Sequence, residues 1–189
     1  MEALVKKPYR HGNLPNAMRA AARVILDEGE TQVVGFRETA RRIGVSPTAG
    51  YRHFASKEDL LASVAAEGFR ELSTALEAAL TGPAQLPGLH LAYVEFALQK
   101  RGLFQLMFGP ILAERAKFSH LNEAATEVFR ILQVAQLVAG HPRQDDTDAM
   151  AAWGLIHGLS MLLLGGLVPE ERIPALAETI LIATTATKP

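Results

Sequence analysis

At 189 residues, with 49% hydrophobic and 21% charged side chains, the chain can bury a real core and is not a disordered polymer. It has no cysteine, which excludes disulfides and thiolate metal sites. The formal net charge is −1, but residues 1–59 carry ten Lys and Arg against seven Asp and Glu, the sign expected if only the N-terminal part meets phosphate.

The opening MEALVKKPYRHG lacks the apolar core of a secretory signal. The longest apolar run, Gly158 to Val168, falls short of the roughly 20 residues that span a bilayer, so a soluble cytoplasmic protein is expected. Lys6, Lys7, Arg10 and His11 lie in the first dozen residues. They make either an ordinary solvated terminus or a basic arm that follows phosphates or the minor groove. Asn13 is a suitable N-cap for a first helix running to Glu28, with Ala17, Met18, Ala21, Val24 and Ile25 towards the core and Gly29 closing it.

Phe36 to Leu61, FRETARRIGVSPTAGYRHFASKEDLL, reads as two short helices and the start of a long one. Ala40 and Ile43 face inward, and Gly44 is the left-handed stop. Ser46-Pro47 starts the next helix, the hydroxyl as cap and Pro at the first helical position. That helix, Pro47 to about Phe54, is too short to stand alone and must be held through Tyr51 and Phe54. A helix, a glycine turn and a short helix make a helix-turn-helix, whose second helix enters the DNA major groove. Helix–Gly–helix corners also occur in all-α proteins that bind no DNA. The chemistry favours DNA. The short helix exposes Thr48, Ala49, Arg52 and His53, with Arg37, Arg41, Arg42 and Lys57 around it, and Ser46 is counted among the DNA-binding residues. Small and hydroxylated side chains at its N-terminal end suit base edges, and the cations suit phosphates. Thr48 and Ala49 are assigned to bases, Arg37, Tyr51, His53 and Lys57 to phosphates, and Arg52 to either.

Ser56 with a carboxylate three residues on begins a helix reaching Leu80, with Leu60, Leu61, Val64, Gly68, Leu72, Leu76 and Ala79 along one stripe. TGPAQLPG (81–88) reads as a loop. A helix from Leu89 to Lys100 is expected to break at Arg101-Gly102. The cluster Leu103, Phe104, Leu106, Met107 and Phe108 follows, closed by Gly109-Pro110. Short and long helices are expected at Ile111–Lys117 and Ser119–Ala139, then a polar loop at 140–146. Two apolar helices, about 147–167 and 172–186, hold few charges. Paired across a two-fold axis they would make a four-helix bundle; a fully internal hairpin is the alternative.

No phosphate loop, serine elbow or paired-carboxylate motif appears, so neither an enzyme nor a cofactor is expected. His120 and Glu123 lie one turn apart, but two ligands do not make a metal site. Trp153 and His157 share a helix face that belongs to the core, to a small-molecule cavity or to the dimer seam.

GVSPTAGYRHFASKEDLL resembles the DNA-binding signature of TetR-type (tetracycline-repressor-like) transcriptional regulators, and YRHGNL…AARVILDEGE resembles that family's first helix. The likeness covers about Tyr9 to Phe69. WGLIHGLSML resembles the Trp…His-Gly signature of one group of the family's C-terminal domains. Gly50 stands where a larger side chain is usual, which implies a more loosely packed recognition helix, and Thr39 stands where an aliphatic one is usual. The resemblance implies an all-α homodimer with a helix-turn-helix head on 1–56 and a helical effector-binding and dimerisation body on 57–189. It implies a repressor that leaves a palindromic double-stranded operator when a small molecule binds. Tyr93, Phe96, Phe104, Met107, Phe108, Trp153 and His157 are the candidates to line that molecule's pocket. An architectural DNA binder without an effector, or a helical small-molecule-binding protein, are the rival readings.

Overall fold

A computed structural model describes residues 13–29, 34–81, 85–138, 147–173 and 175–176. The N-terminal basic residues, the 140–146 loop and most of the expected 172–186 helix lie outside the described residues. The fold is all-α. Its helices are α1 Leu14–Asp27, α2 Phe36–Ile43, α3 Pro47–Gly50, α4 Lys57–Thr81, α5 Gln85–Gln99, α6 Arg101–Met107, α7 Pro110–Ala113, α8 Ser119–Val138 and α9 Thr147–Leu164. Single 3₁₀ turns occur at Arg115–Lys117 and Glu170–Arg172. No helix among the described residues is long and apolar enough to cross a membrane.

The long helix α4 is the axis of the molecule. It packs most extensively against α8 and α5, and also against α6 and α1. Ala62, Ala65 and Ala66 are fully buried beside Val64 and Phe69, so the buried arc here is wider than one stripe, while Ser63 and Glu67 stay partly open. Small side chains there bring neighbouring helices close. At Gly68 a β-carbon would stand 2.5 Å from the Met107 sulfur, so α6 lies directly on the α4 backbone. One apolar cluster runs without interruption from Met18 to Leu163.

Three expected boundaries and faces are corrected. In α1 the buried residues are Met18, Ala21, Ala22, Ile25 and Leu26, while Val24 is 48% exposed. The inward arc is centred on Met18 and Ala22, and Val24 falls beyond its edge. The expected 81–88 loop is shorter than its composition suggests, since α5 begins at Gln85 and takes Pro87 into its first turn. There the missing N–H costs nothing, and Leu86 and Leu89 gain burial. Arg101-Gly102 does not break the chain but opens α6, after a one-residue interruption at Lys100.

Burial also places a titratable group where water cannot reach it. His90 is 1% exposed on α5, its Nδ1 meets no partner among the described residues, and burial pushes its pKa down to about 4. A folded-state pKa below the unfolded value of about 6.5 means the unfolded chain binds the proton first. The neutral ring's contribution is complete above pH 6.5 and is lost as pH falls towards 4. We expect about 2 kcal/mol of unfolding free energy to disappear from this group between pH 7 and pH 5. Urea titrations at the two pH values measure it. His90→Leu should flatten the dependence by that amount, and an unchanged slope would contradict the assignment.

Candidate nucleic-acid interface and ligand cavity

The α2–α3 corner is built by backbone geometry first. Gly44 adopts φ 73°, and Val45 N–H donates to the Ala40 carbonyl at 3.0 Å while Gly44 N–H donates to Arg41 at 3.3 Å. This is the Schellman closure that a left-handed glycine permits. Thr39 is fully buried, and its hydroxyl donates to the Gly35 carbonyl at 2.8 Å. A polar group in an aliphatic place is thereby satisfied within its own helix.

The regular part of α3 ends at Gly50, four residues short of the expected Phe54, and continues as turn through Tyr51–His53. Ser46 caps through its backbone carbonyl, which accepts from Ala49 N–H at 3.0 Å; its side chain makes no capping bond. Gly50 reverses the expectation of loose packing. It is buried, and a β-carbon there would lie 2.5 Å from the Phe36 ring and 2.7 Å from the Met18 methyl. The helix backbone, rather than a side chain, rests on the core. Phe54 is buried as expected, whereas Tyr51 is 59% exposed with one face on Phe36 at 4.2 Å between ring centroids. Ser56 begins α4, accepting from Asp59 N–H at 3.2 Å, and the Asp59 carboxylate accepts from Ala55 N–H at 2.9 Å.

Charge sorts itself around this corner. Arg42 bonds both Glu28 and Glu38, and Arg41 bonds Glu38, so these two arginines tie α2 to itself and to α1. The Arg41 and Arg42 guanidiniums together hold Glu38 down to about 2. Arg37, Arg52, His53 and Lys57 are exposed and form no salt bridge among the described residues. The Lys57 stem lies 3.5 Å from a β-carbon position at Gly35, which draws the start of α4 to the start of α2. Thr48 is exposed and Ala49 half-buried on the same short segment. The candidate DNA residues thus share one solvent-facing corner.

The second feature is a cavity of about 430 Å³ between α4, α8 and α9, closed at one end by α7. Of the seven side chains expected to line a pocket, Phe108 and Trp153 do so. Tyr93, Phe104 and Met107 are fully buried behind the wall, and Phe96 is 6% exposed on α5 under the Lys100 ammonium. His157 stands between the two layers, 4.6 Å from Phe108 and 5.5 Å from Phe104 by ring centroid. A hydrogen-bonded chain links them: Trp153 Nε1–H donates to the Tyr93 oxygen at 3.0 Å, which is 3.0 Å from His157 Nδ1. Indole nitrogen only donates, so the Tyr93 proton goes to Nδ1 of a neutral imidazole. Burial supports both neutral forms, raising the Tyr93 phenol and lowering His157. Trp153 is held by this hydrogen-bonded chain where it lines the cavity.

Sequence reasoning missed the rest of the wall, above all Phe69, Leu112, Arg115, Thr126, Phe129 and Met150. Phe129 follows Ala125 by one helical turn, a signal that could have placed it beside the recognised α8 stripe. Nothing in the local pattern marks Arg115.

Head and body meet at a backbone contact. A β-carbon on Gly102 would lie 2.1 Å from the Leu26 carbonyl oxygen, so the last turn of α1 abuts the first turn of α6. The carbonyl end of one helix there faces the amide end of another, a favourable dipole arrangement. Around it Arg19 pairs with Glu67, and Glu71 bridges Arg23 to Lys100, the latter at 2.8 Å.

Residues 18–64 match the family model described as bacterial regulatory proteins, tetR family, and residues 86–183 match that of the tetracyclin repressor-like C-terminal domain. No curated protein matches the chain. Among solved structures it is similar to a protein of unknown function from Rhodococcus sp. RHA1, with 28% identity, TM-score 0.76, and 95% of this chain and 97% of that one covered. A bacterial regulatory protein in the tetR family from Rhodococcus RHA1 is 25% identical at TM-score 0.60, covering 92% and 96%. The fatty acid degradation regulator FadR from Bacillus halodurans shares the fold at 15% identity and TM-score 0.71, covering 94% and 97%.

Proposed function

Because this chain belongs to the tetR family of bacterial regulatory proteins, we propose that it is a ligand-responsive repressor that binds a palindromic operator as a homodimer. Its membership makes it a DNA-binding transcriptional regulator; the ligand response, the direction of control and the paired state are our reading. The observation that carries it is the exposed corner at Pro47–His53, where Thr48 and Ala49 are ringed by Arg37, Arg52, His53 and Lys57 outside any salt bridge among the described residues. Residues 1–56 serve as the DNA-binding part and 57–189 as the regulatory part.

Pairing is supported by α9. Leu155, Met161 and Leu162 are each more than 40% exposed, and Gly154 and Gly158, one turn apart, face open space among the described residues. Such an apolar face with small residues suits close helix approach across a two-fold axis. Two copies then present their recognition helices to successive major grooves about 34–36 Å apart. Ligand response is supported by the cavity, which lies on α4 and reaches the α6 end at Phe108, while the other end of α6 touches α1. A ligand switches such a dimer by favouring one spacing; a change from 1:99 to 99:1 needs about 5.5 kcal/mol of differential affinity.

Selection of bound sequences from a random DNA pool, with and without a metabolite panel, tests the reading, and an absence of any selected sequence would refute it. With the selected operator in hand, Lys57→Ala should weaken binding to all sequences alike and lower the salt slope by about one. Thr48→Ala should instead relax discrimination at one base position by about 1–3 kcal/mol. An unchanged salt slope for the first, or equal losses on operator and random DNA for the second, would overturn those roles.

A further inference from the structure

Among the described residues, the wall of the cavity is almost wholly apolar and carries one cation, Arg115. Phe69, Phe108, Phe129 and Trp153 are its aromatic residues, and Thr126 and Arg115 are the polar residues among the described lining. The Trp153 N–H is already committed to Tyr93. No carboxylate among the described residues lines the space. The acids nearest in sequence are taken by other partners: Glu114 pairs with Lys117 at 3.1 Å, and Glu127 with Arg130 at 2.5 Å. Among the described residues, the Arg115 side chain makes one long bond, Nη1 to the Leu112 carbonyl at 3.3 Å, and no salt bridge.

From this we propose that the effector is a hydrophobic monocarboxylic acid, its apolar body among the aromatic rings and its carboxylate on Arg115. The proposal rests on the reading of the protein as a ligand-responsive regulator and names the class of its ligand. An apolar body gains by leaving water for a pocket of this size. A cationic ligand would find no counter-charge among the described lining residues, and a phosphate-rich one would bring several anions to a single guanidinium. The planar guanidinium fork matches the two oxygens of a carboxylate. Arg115 is exposed, and an ion pair open to solvent gains little. A bound apolar body excludes water from one side of the pair and strengthens it.

Trp153 is the single tryptophan of the chain and lines the cavity, so its fluorescence reports occupancy directly. Full-length protein without DNA is titrated at pH 7.5 with octanoate, decanoate and 4-phenylbutyrate, with the corresponding amides, and with decyltrimethylammonium. We expect at least one acid to bind about tenfold or more tightly than its amide, and the ammonium not to bind. Arg115→Gln should abolish the preference for acid over amide while leaving amide affinity unchanged, which also shows that the variant is folded. Amides binding as well as acids, a preference that survives Arg115→Gln, or no response to any acid would overturn the proposal. Operator release is measured separately. Arg115-dependent acid binding that leaves operator affinity untouched would uphold the ligand class and refute the regulatory reading. Operator release by a cation or neutral compound alone would do the reverse.

Discussion

Gly102→Ala should destabilise the protein, although the same exchange in an ordinary helix interior stabilises by about 1 kcal/mol. The expected loss is about 1–3 kcal/mol, the range for forcing extra atoms into a close-packed contact. The sign inverts because the added β-carbon would stand 2.1 Å from the Leu26 oxygen and 2.7 Å from the Leu26 carbonyl carbon. Neither atom belongs to a flexible side chain that can swing away. The last turn of α1 must shift, and α1 carries α2 and α3 with it through Met18, which touches the Phe36–Gly50 contact. The variant should therefore lower the urea midpoint and also change operator affinity, with Lys57 and Thr48 untouched. A more stable protein with wild-type affinity would show that α6 does not press on the head.

Gly158→Leu is the second substitution, and its effects run in opposite directions at two levels. Among the described residues the position is open, with no atom beyond the local helix backbone within 4 Å of a β-carbon, and leucine has the better helix propensity. The isolated subunit should be as stable as the wild type or slightly more so. If α9 approaches its symmetry mate, the bulk of leucine separates the two helices at their closest point. We expect a monomer by sedimentation, with a normal circular dichroism spectrum. Operator affinity should fall by about 100-fold to 10,000-fold, because each recognition helix loses the effective concentration its partner supplied. A variant that remains dimeric would place the seam elsewhere.

Both substitutions turn on glycines whose meaning the linear pattern does not carry. Gly50, Gly102 and Gly158 look alike in sequence. One admits the Phe36 ring, one the Leu26 carbonyl, and one meets no neighbour among the described residues. The cavity teaches the same lesson. The aromatic cluster 103–108 was legible as apolar, but only Phe108 reaches the wall, because α6 turns Phe104 and Met107 into the core.

What residue order determined by itself is the local part of the molecule. Gly44 stops α2, Pro47 starts α3, and Ser56 with Asp59 starts α4, each through bonds that span at most a handful of residues. Apolar periodicity likewise marks the long helices, since a helix needs only its own backbone and one greasy face. Tertiary structure decided the rest: which arginines stay outside salt bridges, which rings bound the 430 Å³ cavity, and that Arg115 stands at its wall. Those features join residues far apart in the chain, such as Glu28 with Arg42 and Tyr93 with Trp153 and His157. Their partners are chosen by how helices pack, and packing depends on the shape of every neighbour at once.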